Sequence, residues 1–148
     1  MKHTRRTSIA ASLALLVVIL LTACGPKDTG PVTLTISGLV DNPLSLTDAG
    51  LHAMDVVTAT LEHPKDGPIE YTGVLLSDLL AEAGIQEGAT MITLLAADGY
   101  SYDLALADAQ ACSECMITFA GEAGDYTAAM PGMANKAWVK TLVSIEVK

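Results

Sequence analysis

Three features predict a β-rich α+β domain: period-two alternation of apolar and polar residues, Gly, Pro and Asp-Gly punctuation between the alternating runs, and only brief stretches at helical spacing. In such a domain a few short helices cover a mixed or antiparallel sheet. The 148 residues allow one domain. A globular part of roughly 125 residues is long enough to bury a real core. Hydrophobic residues make up 51% and charged residues 17%, a balance that excludes a disordered chain.

Val32-Thr-Leu-Thr-Ile-Ser37 alternates apolar with hydroxyl residues and is a half-buried strand. Gly38 to Pro43 turns the chain, and Thr47 caps a short helix over 48–54 that buries Leu51 and Met54. Val56–His63 is a strand with Val57, Ala59, Leu61 and His63 on one face and Thr58, Thr60 and Glu62 on the other. His63 therefore ends the apolar face, pointing inward, and Pro64–Pro68 is a breaker-rich loop after it. Leu75–Gly84 is a helix: Leu76, Leu79, Leu80 and Ala83 form its apolar stripe, and Gly84 stops it. Thr90–Ala97 and Tyr100–Leu106 are strands around the Asp98-Gly99 turn. Ala107–Ala111 makes one helical turn into Cys112. Met116–Ala120 and Tyr126–Met130 pair around residues 121–125. The last strand, Thr141–Lys148, buries Val143, Ile145 and Val147 on one face.

Residues 1–23 have the layout of a secretory signal. Lys2, His3, Arg5 and Arg6 form a basic start, and Ile9–Leu21 is an apolar run short for a membrane span. Leu21-Thr-Ala-Cys24-Gly25 resembles the bacterial lipobox, in which the Cys takes a diacylglycerol thioether. Cys24 is thus the expected lipidation site. Residues 24–31 are the lipidated Cys and a tether, and 32–148 form the domain. Acyl chains would hold the domain at a membrane surface without spanning it, an extracytoplasmic place in a bacterial cell envelope. Arg5-Arg6 partly matches a twin-Arg signal. Ser8 stands where a large apolar residue is expected, however, so the route for unfolded chains is favoured.

The full chain has a formal charge of −9; setting aside Lys2, Arg5 and Arg6 leaves −12, with five Lys and no Arg after residue 23. This excludes nucleic acid as a partner, because phosphate contacts need cations in number. Cys112-Ser-Glu-Cys115 is an even pair in an oxidising compartment. It is a tight disulfide, a redox dithiol or half a metal site. The last would need two more ligands, and beyond the signal the only histidines are His52 and His63. Met130, Met133 and Trp138 read as packing more readily than as a soft-metal pocket. Tyr100, Tyr102 and Tyr126 read as strand residues, and His52 as exposed on its helix.

Thr60-Leu-Glu-His63, Tyr71-Thr-Gly-Val-Leu-Leu76, Ala97-Asp-Gly-Tyr-Ser101, Met130-Pro-Gly132 and Val139-Lys-Thr-Leu142 followed by Ile145-Glu-Val147 resemble segments of the oxidoreductase molybdopterin-binding domain of the sulfite oxidase superfamily. The likeness covers roughly residues 32–148 and implies that family's fold. It also implies molybdopterin as cofactor, with His63 where the family has its molybdenum-ligating Cys and Lys140 where a Lys contacts the pterin phosphate. Imidazole is not the equivalent of a soft thiolate donor, and the Arg residues that bind the family's oxyanion substrates are missing. The expectation is a membrane-anchored binding or accessory module, without catalysis of its own, holding a small ligand or a redox partner near His63 and Lys140. The alternatives are an active molybdopterin-dependent oxidoreductase and a thiol redox protein using Cys112 and Cys115.

Overall fold

The computed structural model describes residues 30–148. The signal-like segment, Cys24 and the tether as far as residue 29 lie outside the described residues. In chain order the elements are β1 (Val32–Gly38), β2 (Leu44–Thr47), α1 (Asp48–His52), β3 (Val56–His63), β4 (Gly67–Leu75), α2 (Leu76–Ala83), β5 (Met91–Ala96), β6 (Ser101–Ala105), α3 (Leu106–Ala111), β7 (Met116–Phe119), β8 (Tyr126–Ala129), a 3-10 turn at Asn135–Ala137, and β9 (Leu142–Val147).

The strands form two sheets, in the orders β2-β1-β9-β5-β6 and β3-β4-β7-β8. β1 and β9 run parallel; every other named pair is antiparallel. One apolar cluster joins the sheets: Leu34, Ile36, Leu94 and Ile145 from the first meet Leu61, Val74, Ile117 and Ala128 from the second. The helices add Leu51, Leu76, Leu79 and Leu106. Among the described residues no helix is long and apolar enough to cross a membrane.

Local chemistry explains the ends. The Thr47 hydroxyl accepts from the Gly50 amide at 3.0 Å and starts α1. In α2 the i, i+3, i+4, i+7 leucines and Ala83 are all buried, and Gly84, at φ +67°, releases the chain from the helix. At Gly73 a Cβ would run into the Ile117 carbonyl, so only glycine lets β4 and β7 pair so closely.

Three expectations are corrected. β4 occupies the stretch read partly as loop: its Pro68 pairs with Glu62, and β7 covers only Gly73–Leu75, so no donor is missed at the proline. β2 is a short strand where only a turn and cap were expected. In β9, Leu142 is buried and Val143 only half-buried, because the β5–β9 register shifts between Leu95 and Ala96.

Tyr126 ties the sheets to α1. Its ring is fully buried, and its hydroxyl lies 2.7 Å from the Thr33 hydroxyl and donates to Asp48 Oδ1 at 2.9 Å. Burial, with the Asp48 carboxylate nearby, pushes the phenol above its ordinary value of 10.0. The folded chain then holds this proton more tightly than the unfolded chain. The resulting stability is fully present below about pH 10 and is lost as pH rises beyond it. Tyr126→Phe should cost about 1–2 kcal/mol near neutrality, since it leaves polar partners short of a bond. Urea unfolding between pH 8 and 11 should also show a shallower alkaline loss in the variant; an identical slope in both proteins would contradict the assignment.

Candidate functional site: a cationic cavity at the β3–β4 hairpin

His63 closes the β3–β4 ladder opposite Gly67, and Pro64, Lys65 and Asp66 make the turn between them. Gly67, at φ +75°, lets the turn fold back on the imidazole. Asp66 Oδ2 comes within 2.8 Å of His63 Nδ1, while the amides of Lys65 and Asp66 lie 3.3 Å from the same atom. The carboxylate asks Nδ1 for a proton and the amides ask it for a lone pair. The turn thus holds the imidazole by its Nδ1 edge, with both amides donating to that nitrogen and the carboxylate against it. The imidazole is 11% exposed and meets the Trp138 ring edge-on at 4.7 Å. Trp138 in turn lies 5.7 Å from the Tyr71 ring.

These residues line one cavity of about 420 Å³ with Lys65, Asp66, Ile69, Thr127, Asn135 and Lys140. That is a small-molecule size. Lys140 reaches it from the far side of the fold, because residue 140 bridges to Thr127 of β8 just before β9 begins. Thr141, at φ +49°, makes the sharp change of direction that separates Lys140 from β9. Burial, with the Asp66 carboxylate nearby, pushes the Tyr71 phenol above its ordinary value.

The charge distribution is the site's main chemical property. Of the four lysines among the described residues, Lys148 pairs with Glu146 at 3.1 Å and Lys136 lies over the Tyr102 ring. The other two, Lys65 and Lys140, meet at this cavity, and neither has an ion-pair partner among the described residues. Trp138 is 6% exposed, and its buried Nε1–H has no hydrogen-bond partner among the described residues. An unpaired buried donor costs about 1–3 kcal/mol.

Sequence reasoning named His63 and Lys140, and the structure brings them into one cavity. It missed Lys65, Asp66 and Tyr71. The signal for Asp66 was available: a carboxylate three residues after His63, in a Pro-Lys-Asp-Gly turn, folds back onto the side chain that precedes the turn. Trp138, read as packing, is both core and cavity wall. His52 is 49% exposed, stacks on Phe119 at 3.9 Å and lies 3.8 Å from Asp48, well away from this site. Met130 is buried core, and Met133 packs against the core from the edge of another groove. Tyr100 donates its hydroxyl to the Lys136 carbonyl.

Cys112 and Cys115 are joined by a disulfide with Cα atoms 5.4 Å apart, at the passage from α3 into β7. Cys115 is fully buried and Cys112 half-exposed.

The chain matches the family described as oxidoreductase molybdopterin binding domain over residues 25–124. It belongs to that family. His63 falls inside the matched segment, and Lys140 beyond it. Among solved structures it is similar to the sulfane dehydrogenase SoxCD from Paracoccus pantotrophus, at 23% identity and a TM-score of 0.65. The match covers 77% of this chain and 37% of that one, so this chain spans little more than a third of its relative's length. The likeness shows a shared sulfite oxidase-type fold. No curated protein matches the chain.

The donor set does not fit a thiolate-bound molybdenum. The cavity offers an imidazole and no thiolate, and the two cysteines of the described residues are bound to each other. The described residues hold no group of three or more His, Cys, Asp and Glu side chains able to take a metal ion. The two lysines instead suit the anionic part of an organic molecule.

Breaking the disulfide at either end should separate two effects. Cys112→Ser should lower stability by about 2 kcal/mol, the loop-closure value for so short a ring. Cys115→Ser should lower it further, because it also buries a hydroxyl in apolar surroundings. Equal losses in chemical denaturation would contradict the asymmetric burial of the pair.

Proposed function

We propose that this protein is a lipid-anchored, extracytoplasmic binding module of a bacterial cell envelope that holds a small anionic ligand in the His63 cavity, without catalysis at that site. The observation that carries the reading is the meeting of Lys65, Lys140 and Trp138 in one cavity of an otherwise acidic chain. Family membership favours a phosphate-bearing pterin as the ligand class. The imidazole in place of thiolate argues against a reactive metal centre. In this reading Lys65 and Lys140 neutralise the ligand's anion, and Trp138 supplies a wall. His63, held by Asp66, presents its remaining nitrogen edge. The lipobox-like Cys24 supports the anchor.

Molybdenum and pterin should be measured together on full-length protein purified from membranes of a host that makes the cofactor. Pterin without molybdenum supports the binding module. Near one equivalent of each makes the protein an enzyme with an unusual metal ligand and overturns the reading. Trp138 is the chain's single tryptophan, so its fluorescence reports on the cavity directly. Inorganic pyrophosphate should give a saturable change, weakened about 10–100-fold in Lys140→Gln by loss of a charged hydrogen bond. His63→Ala should abolish the change with the fold intact, and unchanged binding in either variant would remove the residue from the site.

The anchor has a separate test. Cys24→Ala should move the protein from the membrane to the soluble fraction and remove the mass of the acyl chains. Membrane retention in the variant would contradict lipidation at Cys24.

A further inference from the structure

Apart from the His63 cavity, with which they share no lining residue, two grooves of about 480 and 610 Å³ run up to the disulfide. They share Ala111, Cys112, Pro131 and Gly132, so Cys112 stands where they meet. Cys115 lines neither groove and is fully buried. A thiol can therefore approach only one of the two sulfurs. The charged residues along the grooves are Glu62, Glu114 and Asp108, with no cation among them. This is a second site, with chemistry and charge opposite to those of the first.

We infer that Cys112–Cys115 is a thiol–disulfide exchange site entered at Cys112, and that its partner is a neutral or cationic dithiol. The incoming thiolate attacks Cys112 Sγ, and the electron pair of the S–S bond passes to Cys115 Sγ, which takes a proton. The second thiol of the partner then attacks the partner sulfur of the mixed disulfide and releases Cys112 as a thiolate, which is protonated from water. In sum, two electrons and two protons leave the dithiol, which becomes a disulfide, and the protein gains two thiols. In the reverse direction a mixed disulfide on Cys112 is resolved by Cys115, held one helix end away. The ring is short, so closing it adds little stability and does not make the pair indispensable to the fold. The acidic lining disfavours an anionic thiol through repulsion that salt would screen.

The test uses full-length protein and peptide-resolved mass spectrometry, so that Cys24 does not confuse the count. Dithiothreitol should reduce the pair in the folded state, faster than global unfolding and with the far-ultraviolet circular dichroism retained. Reoxidation should restore the bond. Reduction only at the unfolding rate overturns the proposal, and this arm needs no variant. With one cysteine left, 5,5′-dithiobis(2-nitrobenzoate) should modify Cys112 in Cys115→Ala at least 100-fold faster than Cys115 in Cys112→Ala. Comparable rates in folded variants overturn entry at Cys112. Cysteamine should react faster than 3-mercaptopropionate at equal thiolate concentration and low salt, and the gap should close in 0.5 M salt. Equal rates at low salt overturn the stated partner class.

Discussion

Two sheets share one apolar core, and this fixes how the chain has to travel. Four hairpins alternate between the sheets: β1–β2 in the first, β3–β4 in the second, β5–β6 in the first, β7–β8 in the second. Each passage from one sheet to the other runs through α1, α2, α3 or the 3-10 turn at Asn135–Ala137. The reason is backbone polarity. An extended connection across the edge of a packed core would bring unpaired N–H and C=O groups with it, whereas a helical one satisfies many of its own. The chemistry sits where this constraint leaves the chain exposed. His63, Lys65 and Asp66 lie at a hairpin tip, Trp138 and Lys140 follow the 3-10 turn, and the disulfide joins α3 to β7.

The two candidate sites divide the molecule's electrostatics between them. The His63 cavity gathers half of the described lysines, and the grooves at Cys112 carry only acids. β3 stands between them, with His63 turned to one site and Thr60 and Glu62 lining the other. One strand thus contributes to both sites, His63 at its end and Thr60, Leu61 and Glu62 just before it. The backbone also bears a local cost. Thr141 is β-branched and sits at positive φ, a conformation worth of order 1–2 kcal/mol against it. That strain is placed between a lysine of the cavity and the strand that anchors it.

Legibility in the sequence followed the strength of local patterning. Strands with clean alternation, such as Val56–His63, and the helix with the Leu76, Leu79, Leu80, Ala83 stripe were read within a residue or so. β4 was hidden by Gly67 and Pro68, which read as turn residues but here begin the second strand at the closed end of a hairpin. β2 was hidden by being four residues long. Leu142 was misplaced because a register shift belongs to the pairing of two strands and leaves no mark on either alone. His63 and Lys140 were legible through family likeness, whereas their union with Asp66, Lys65 and Tyr71 depends on a fold-back and a bridge between distant segments.

β9 occupies the middle of the five-stranded sheet, between β1 and β5, and Thr35 meets Ser144 across a separation of 109 residues. The central strand is therefore the last of the strands to be synthesised. Until residues 142–147 emerge, the first sheet exists only as two hairpins flanking a slot one strand wide, with the inward edges of β1 and β5 unpaired. Contacts of such long range form late and slowly. The topology acts as a timer: a chain that has made both hairpins still cannot close the first sheet until residues 142–147 fill the slot between them.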